Sequence, residues 1–293
     1  MHGWIILDKP VGLGSTQAVS AVKRALRTGG YGKFKVGHGG TLDPLASGVL
    51  PVAIGEATKL AGRMLDSDKV YDFTLGFGVE TDTLDAEGKE VARSELRPSR
   101  AEIEAVLPRF TGPIAQVPPA FSALKVDGER AYDLARAGEA VKLASRNVTI
   151  HDLHIVASDT ASVTLTAHVS KGTYIRSLAR DIAHALGTVG HVTMLRRTRA
   201  GPFGLDSAIS LDKLADAAKD RALEHLLLPL RAGLDDIPAL SLAPDQAGLL
   251  RQGRVLAGIA ADDGQYFACE GDTPVALVEA QSGLVRVVRG FNL

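Results

Sequence analysis

The sequence predicts an α+β fold: a large domain of strands and helices, residues 1–235, followed by a small β-rich module, residues 238–293. Three observations point there. Tyr71, Phe73, Leu75 and Phe77, and again Val163, Leu165, Ala167 and Val169, alternate with the period of a strand that buries one face. Ser99-Arg100-Ala101-Glu102 is a capping box opening a helix with Ile103, Val106, Leu107 and Phe110 inward. Composition then changes at Gly233-Leu234-Asp235-Asp236-Ile237-Pro238, a linker followed by short β segments separated by Gly, Asp and Pro.

The remaining elements follow in order. Gly3 to Asp8 reads as a strand halted by Lys9-Pro10. Ser15 or Thr16 can N-cap a helix with the stripe Ala18, Val22, Ala25 and Leu26. Gly29 to Gly48 has no sustained period and reads mainly as loop. The first helix after Ser99 stops at Thr111-Gly112-Pro113. Residues 118–148 mix prolines, aromatics and cations (Lys125, Arg130, Tyr132, Arg136, Lys142, Arg146) and read as a protruding segment. The strand ending at Val169 runs through Ser170-Lys171-Gly172 into a helix capped by Thr173, with Ile175, Leu178, Ile182 and Leu186 inward and Gly187 as its stop. His191 to Arg197 reads as a strand, and Leu211 to Leu230 as Leu-rich helix. Tyr266–Cys269, Val275–Val278 and Leu284–Val288 are the β segments of the module.

Composition narrows the class. At 293 residues with 45% hydrophobic and 23% charged residues, the chain is that of a globular protein with a large core. The single cysteine, Cys269, excludes an intramolecular disulfide, fits a reducing cytoplasm and reads as core. No apolar run approaches the roughly 20 residues of a membrane helix, and the N-terminus lacks a signal-peptide pattern. The expectation is a soluble cytoplasmic protein. The net charge of −1 hides an uneven distribution. Residues 1–38 carry Lys9, Lys23, Arg24, Arg27, Lys33 and Lys35 against Asp8; residues 171–200 carry Lys171, Arg176, Arg180, Arg196, Arg197 and Arg199 against Asp181. If those stretches meet, they form a positive face for a polyanion; otherwise they are two solvated faces.

The chemistry concentrates in Val36-Gly37-His38-Gly39-Gly40-Thr41-Leu42-Asp43-Pro44-Leu45-Ala46-Ser47-Gly48. Dense glycine lets backbone approach a ligand, and Pro44 biases Asp43 toward an extended conformation that fixes its carboxylate. On residues alone, Asp43 reads as an Asp-Pro turn residue and His38 as a hydrogen-bonded structural histidine, rather than as catalysts. No Gly-Lys-Ser/Thr follows the glycines, so a P-loop is excluded. The eight histidines are scattered, with none at recognised metal-site spacing.

These stretches resemble the TruB family of tRNA pseudouridine-55 synthases over nearly the whole chain. Gly3-Trp4-Ile5-Ile6-Leu7-Asp8-Lys9-Pro10 resembles its N-terminal motif, and Gly37-His38 with Gly40–Gly48 its catalytic motif. Ala57-Thr58-Lys59 with Ser67-Asp68-Lys69-Val70-Tyr71 resembles the tyrosine motif. Ser122-Ala123-Leu124-Lys125 lies in its tRNA-gripping insertion, Ser170–Arg176 resembles its arginine motif, and His191-Val192 through Leu195-Arg196-Arg197 completes the order. Gly39 departs from the usual Thr, Gly14 from a common Ser, and Gly29–Lys35 is longer than the usual connection.

The resemblance implies a pseudouridine synthase catalytic domain with a mixed, largely antiparallel sheet flanked by helices, and a PUA-like C-terminal domain gripping the acceptor side of tRNA. It implies isomerisation of the T-loop uridine, position 55, by base flipping, with Asp43 as catalytic carboxylate, Arg176 as its partner and Tyr71 stacked on the uracil. His38 enters the space the flipped base leaves, Tyr174 and Leu195 line the pocket, and Lys9 with the basic stretches holds phosphates. No cofactor, metal, guide RNA or protein partner is expected, and the chain is expected to act as a monomer. Three alternatives stand beside this reading: a guide-RNA-dependent synthase, which the lack of basic terminal extensions disfavours; an RNA-binding or RNA-folding protein without catalysis; and a metal-dependent aspartate hydrolase.

Overall fold

A computed structural model describes residues 1–122, 124–126, 128–138, 141 and 143–293; Ala123 and Lys142, named above, lie outside them. Strand β1 (Gly3–Lys9) leads into helix α1 (Ser15–Thr28), then the short β2 (Val36–His38) and the long β3 (Ala46–Ile54). A 3-10 turn at Gly55–Lys59 and helix α2 (Ala61–Asp66) precede β4 (Lys69–Phe77). A hairpin of β5 (Val79–Thr81) and β6 (Glu90–Arg93), helix α3 (Arg100–Val106) and β7 (Gly112–Gln116) follow. The segment read as protruding holds a two-stranded ribbon, β8 (Lys125–Val126) and β9 (Glu129–Arg130), and helix α4 (Ala131–Arg136). The domain finishes with β10 (Arg146–Ser158), β11 (Ser162–Val169), α5 (Ile175–Ala185), β12 (Gly190–Ala200), β13 (Phe203–Gly204) and α6 (Leu211–Lys219).

The main sheet runs β1-β3-β12-β4-β11-β10-β7, with β2 added to β3 and β13 to β12. Its pairs are antiparallel except β12 with β3, where Leu195 faces Ala46 and Arg197 faces Gly48. Period-two alternation decides which layer each strand joins. Along β1, Ile5 and Leu7 pack under α1 and α6, while Trp4 and Ile6 face the opposite way. On the other half, Phe73, Leu75, Val163, Leu165 and Ala167 are fully buried against α3 and α5. Each of these side chains larger than alanine contributes about 1.5–3 kcal/mol by leaving water. Tyr71 and Leu195 touch both halves of the core and mark the seam between them.

Several element boundaries differ from the sequence expectation. The N-cap of α1 is Gly14, whose N–H donates to Gln17 Oε1 at 2.8 Å, so neither Ser15 nor Thr16 caps it. Ser15 is instead recruited by a loop described below. The glycine-rich run is loop at residues 29–35 and 39–45 but is interrupted by β2, which pairs with the far end of β3 from Val36↔Ile54 to His38↔Val52. Helix α5 is preceded by Tyr174, not capped by Thr173, whose hydroxyl turns back to Ser170 O at 2.9 Å. After α6 the Leu-rich stretch breaks into 3-10 turns at Leu223–Leu226 and Leu230–Gly233. Leu227 and Leu228 lie between the turns, and Leu228 bridges to Trp4.

The C-terminal module is a five-stranded sheet in the order β14 (Ala239–Ser241), β16 (Gly264–Glu270), β17 (Thr273–Gln281), β18 (Leu284–Gly290) and β15 (Leu256–Ala257). It is not all β: helix α7 (Pro244–Arg251) covers it through Ala247 and Leu250. Phe267, Leu277 and Phe291 enter the same core cluster as Trp4, Val49 and Ala53, so the two sheets share buried surface.

Candidate active site

The loop Gly39–Leu45 is held from beneath by two buried cations. Lys9 is 0% exposed, and its ammonium donates to the carbonyls of Pro10 (2.9 Å), Leu13 (2.6 Å) and Pro44 (3.4 Å). Arg197, 1% exposed, donates to the carbonyls of Val49 (2.7 Å), Thr41 (3.3 Å) and Gly40 (3.2 Å). Burying a charge this deeply is tolerated only when hydrogen bonds replace its hydration, and here carbonyl dipoles do so. Burial pushes the Lys9 ammonium down to about 8, with Asp43 opposing and Arg197 adding to the shift. Ser15 completes the clamp: its hydroxyl accepts from Leu42 N–H at 2.8 Å and donates to Leu42 O at 2.9 Å.

Two glycines are required. Gly48 has φ +102°, and a Cβ there would stand 2.1 Å from Arg197 O, across the parallel pair. Gly39, the family-atypical residue, lies against Met64: a Cβ would meet the Met64 Cβ at 2.5 Å. The methionine thus fills the space a larger residue would take.

This clamp presents Asp43 to solvent with its side chain 41% exposed and Oδ2 2.9 Å from Arg176 Nη2. No hydrogen bond to Oδ1 is found among the described residues. The Arg176 side chain is only 7% exposed. It sits at the N-terminal end of α5, where the helix dipole disfavours a cation, and other groups offset this. Nη1 donates to Thr83 O at 2.8 Å, Nη2 donates to Phe121 O at 3.0 Å, and Asp85 Oδ2 lies 3.7 Å from Nη1. Asp85 is itself buried and accepts from the Thr83 hydroxyl at 2.6 Å and Glu87 N–H at 3.1 Å. The Thr81–Asp85 turn carries Leu84 at φ +63°, an uncommon conformation for a branched side chain. Asp85 and Thr83 escaped the sequence reading because they lie in an acid-rich block that looks like solvated surface.

Asp43 and Arg176 line a cavity of about 290 Å³ together with Tyr71, Tyr174, Leu195 and Arg197. That volume is at the lower end of ligand pockets and suits one nucleoside better than a stretch of duplex. Tyr174 is fixed by Gln116, which is fully buried, accepts from Tyr174 N–H at 2.8 Å and donates to its carbonyl at 3.1 Å. The Arg146 guanidinium covers the Tyr174 ring, 4.7 Å from its centroid. Six of the seven residues singled out from sequence therefore converge or abut: Asp43, Tyr71, Tyr174, Arg176 and Leu195 line the cavity, and Lys9 underlies its loop.

Two expectations need correction. Lys9 does not hold phosphate, because it is wholly buried and spent on loop carbonyls. The basic stretch 171–200 is not a free positive face. Arg176 and Arg197 are buried, Arg196 forms a two-pronged pair with Asp8 (3.0 and 2.8 Å), Lys171 pairs with Asp66 and Arg180 with Asp181. In the other basic stretch, Lys23, Arg24, Arg27, Lys33 and Lys35 are all exposed and have no acidic partner among the described residues. Lys23, Arg27 and Lys33 line a cleft of about 520 Å³ with Tyr31 and Phe34. His38 ends β2, half-buried, and is not among the residues lining the Asp43 cavity. Its Nδ1 has no partner among the described residues, and burial followed by Arg197 lowers its affinity for a proton.

Comparison with known proteins places these features in a lineage. The profile of the TruB family pseudouridylate synthase N-terminal domain matches residues 23–175, and that of the tRNA pseudouridylate synthase B C-terminal domain matches residues 176–235. The whole chain is 66% identical to tRNA pseudouridine synthase B of Novosphingobium aromaticivorans, covering 98% of that protein. It is 61% identical to the protein of the same name from Zymomonas mobilis, covering 96% of it. Among solved structures, a chain of a Cbf5-Nop10-Gar1 complex superposes with a TM-score of 0.76 at 27% identity, over 99% of this chain and 85% of that one. A chain of an H/ACA RNP bound to a substrate RNA containing 2'-deoxyuridine gives 0.74 at 25% identity, over 99% and 85%.

Proposed function

The chain belongs to the TruB family of pseudouridylate synthases and isomerises uridine to pseudouridine in tRNA, and we propose that it does so at position 55 of the T loop through the Asp43 carboxylate. The observation that carries this reading is the Asp43–Arg176 pair at the wall of a cavity sized for one nucleoside. The isomerisation breaks the bond from the base nitrogen to the ribose, turns the retained uracil, and rejoins it through carbon. It needs one carboxylate, a wall against which the base turns and a nucleotide taken out of its stack. Arg176 occupies one carboxylate oxygen and leaves the other for the nucleoside. Its permanent charge supplies a counterion that the approaching RNA phosphates do not displace. Tyr71 stacks on the uracil, with Leu195 and Tyr174 as the adjoining walls. Flipping the target costs a few kcal/mol, recovered by these contacts.

His38 enters the gap left in the T loop, from its place at the end of β2. Lys23, Arg24, Arg27, Lys33 and Lys35 take phosphates, which position RNA without reading its sequence; the loop's shape and unstacked bases select it. Residues 1–235 form the catalytic domain, 118–148 its gripping insertion, and 238–293 a PUA-like domain on the acceptor side. The chain works as a monomer with neither guide RNA nor cofactor. Incubating the purified protein with an unmodified tRNA transcript, then mapping the product, tests this. Pseudouridine should appear at position 55, and turnover should persist in excess EDTA. An untouched transcript would instead favour guide dependence. Asp43→Asn should abolish tritium release from C5-labelled uracil while tRNA binding stays within a few-fold; wild-type turnover by that variant would refute the assignment.

A further inference from the structure

Three ligating side chains meet on adjacent strands, and none of them lines the Asp43 cavity. Asp68 stands just before β4, His168 lies on β11 and His151 on β10, three neighbours in the main sheet. His151 Nε2 lies 3.1 Å and His168 Nε2 3.7 Å from the same Asp68 oxygen, and all three atoms fall within 4.8 Å of one another. The imidazole rings are 4.8 Å apart.

The backbone creates this convergence. Pairing of β10 with β11 slips between Ile150↔Val169 and Asp152↔His168, so His151 is the extra residue of a bulge. Bulges re-aim side chains, and this one sets both His151 and Asp152 opposite His168. The spacing has a chemical meaning. Four ligands at about 2.0–2.1 Å around a tetrahedral zinc ion lie about 3.3–3.4 Å from one another. The two measured His–Asp separations straddle that value. Two imidazoles and a carboxylate, with one position left for water, form a donor set suited to Zn²⁺ and its neighbours in the first transition row.

The cluster already attracts a cation. Arg199 Nη2 lies 3.1 Å from His168 Nε2; a guanidinium only donates, so that nitrogen presents a lone pair. Arg199 is exposed and can swing away. The sequence conceals all this, since His151 and His168 meet through strand pairing and have no short-range spacing.

We propose that Asp68, His151 and His168 form a surface site for one divalent transition-metal ion, with Arg199 as the resident cation it displaces. The proposal stands apart from the catalytic reading, because it uses none of the same residues. The test titrates the metal-stripped, untagged full chain with Zn²⁺ against a chromogenic chelator, and separately with Co²⁺. One equivalent of Zn²⁺ should bind, Co²⁺ should give the strong visible bands of a tetrahedral site, and the wild-type melting temperature should rise with Zn²⁺. His151→Asn and His168→Asn should each weaken binding by more than the roughly 10–100-fold that loss of an outer-shell partner costs. Arg199→Gln should strengthen it. Absence of saturable uptake and of any rise in melting temperature by wild type would overturn the proposal. So would wild-type affinity in both asparagine variants.

Discussion

Asp85 shows how much a residue can matter without touching a reacting atom. It braces Arg176 from behind while Asp43 engages it from the front, so the guanidinium is held between two carboxylates. Asp85→Asn keeps the shape and removes the charge. The expected result is a fall in kcat on the order of 10–100-fold from a misplaced Arg176, with KM for tRNA changed only a few-fold, read from steady-state tritium release. A purely structural role would lower stability without that split.

The buried lysines make a second residue-scale prediction. Burial pushes Lys69 from 10.5 to about 8, as it does Lys9. Between those values the unfolded chain binds the extra proton, so the contribution of each lysine to stability is level below about pH 8 and rises from there toward pH 10.5. In denaturant titrations, the stability advantage of wild type over Lys69→Met should therefore widen across that range. A gap that narrows would contradict the burial. Neither lysine's environment was legible in the sequence, because nothing in it signals that Lys69 turns back onto the carbonyls of Met64, Leu65 and Ser67, or that Lys9 does so onto Pro10 and Leu13 and reaches Pro44 across the fold. Asp43 and Arg176 were legible only by their family motifs, since as isolated residues they read as a turn and a surface cation.

Among elements, the parallel pairing of β3 and β12 is where the site gains its rigidity. Gly48 faces Arg197 across it with no room for a side chain. Gly48→Ala would combine a clash with an unfavourable positive φ, and should cost about 1–3 kcal/mol, seen as a lower denaturant midpoint, together with reduced turnover as the Asp43 loop shifts. The strands themselves were legible, because Phe73 to Phe77 and Val163 to Val169 alternate against a core. Helix starts were less so. Polar residues such as Ser15 and Thr173 suit a cap, yet each is claimed by a nearer backbone group, Leu42 in one case and Ser170 in the other. Helix α7 went unseen because a short helix between turn-forming residues leaves little periodicity.

For the whole molecule, the shared cluster around Trp4, Phe267 and Phe291 predicts that the two sheets unfold together. Phe267→Ala should cost about 3–5 kcal/mol and lower the single melting transition seen by circular dichroism. Separate melting of the C-terminal sheet would oppose that view. RNA binding draws on the surface in a different way. With five exposed cations in play and the 171–200 stretch largely neutralised, log affinity for tRNA should fall with log salt at a slope of roughly 3.5–4.5, if each meets one phosphate. A flat response would remove the helix α1 face from the interface.

The junction of the two sheets carries one more property. Trp4 is the chain's single tryptophan, fully buried, its indole nitrogen bonded to Leu230 O at 3.2 Å and its ring tilted against Phe203. Intrinsic fluorescence excited at the indole thus comes from one position alone. Its emission, blue-shifted while the two sheets enclose it and red-shifted once water arrives, gives an unlabelled optical record of when the N-terminal strand and the C-terminal module come together during refolding.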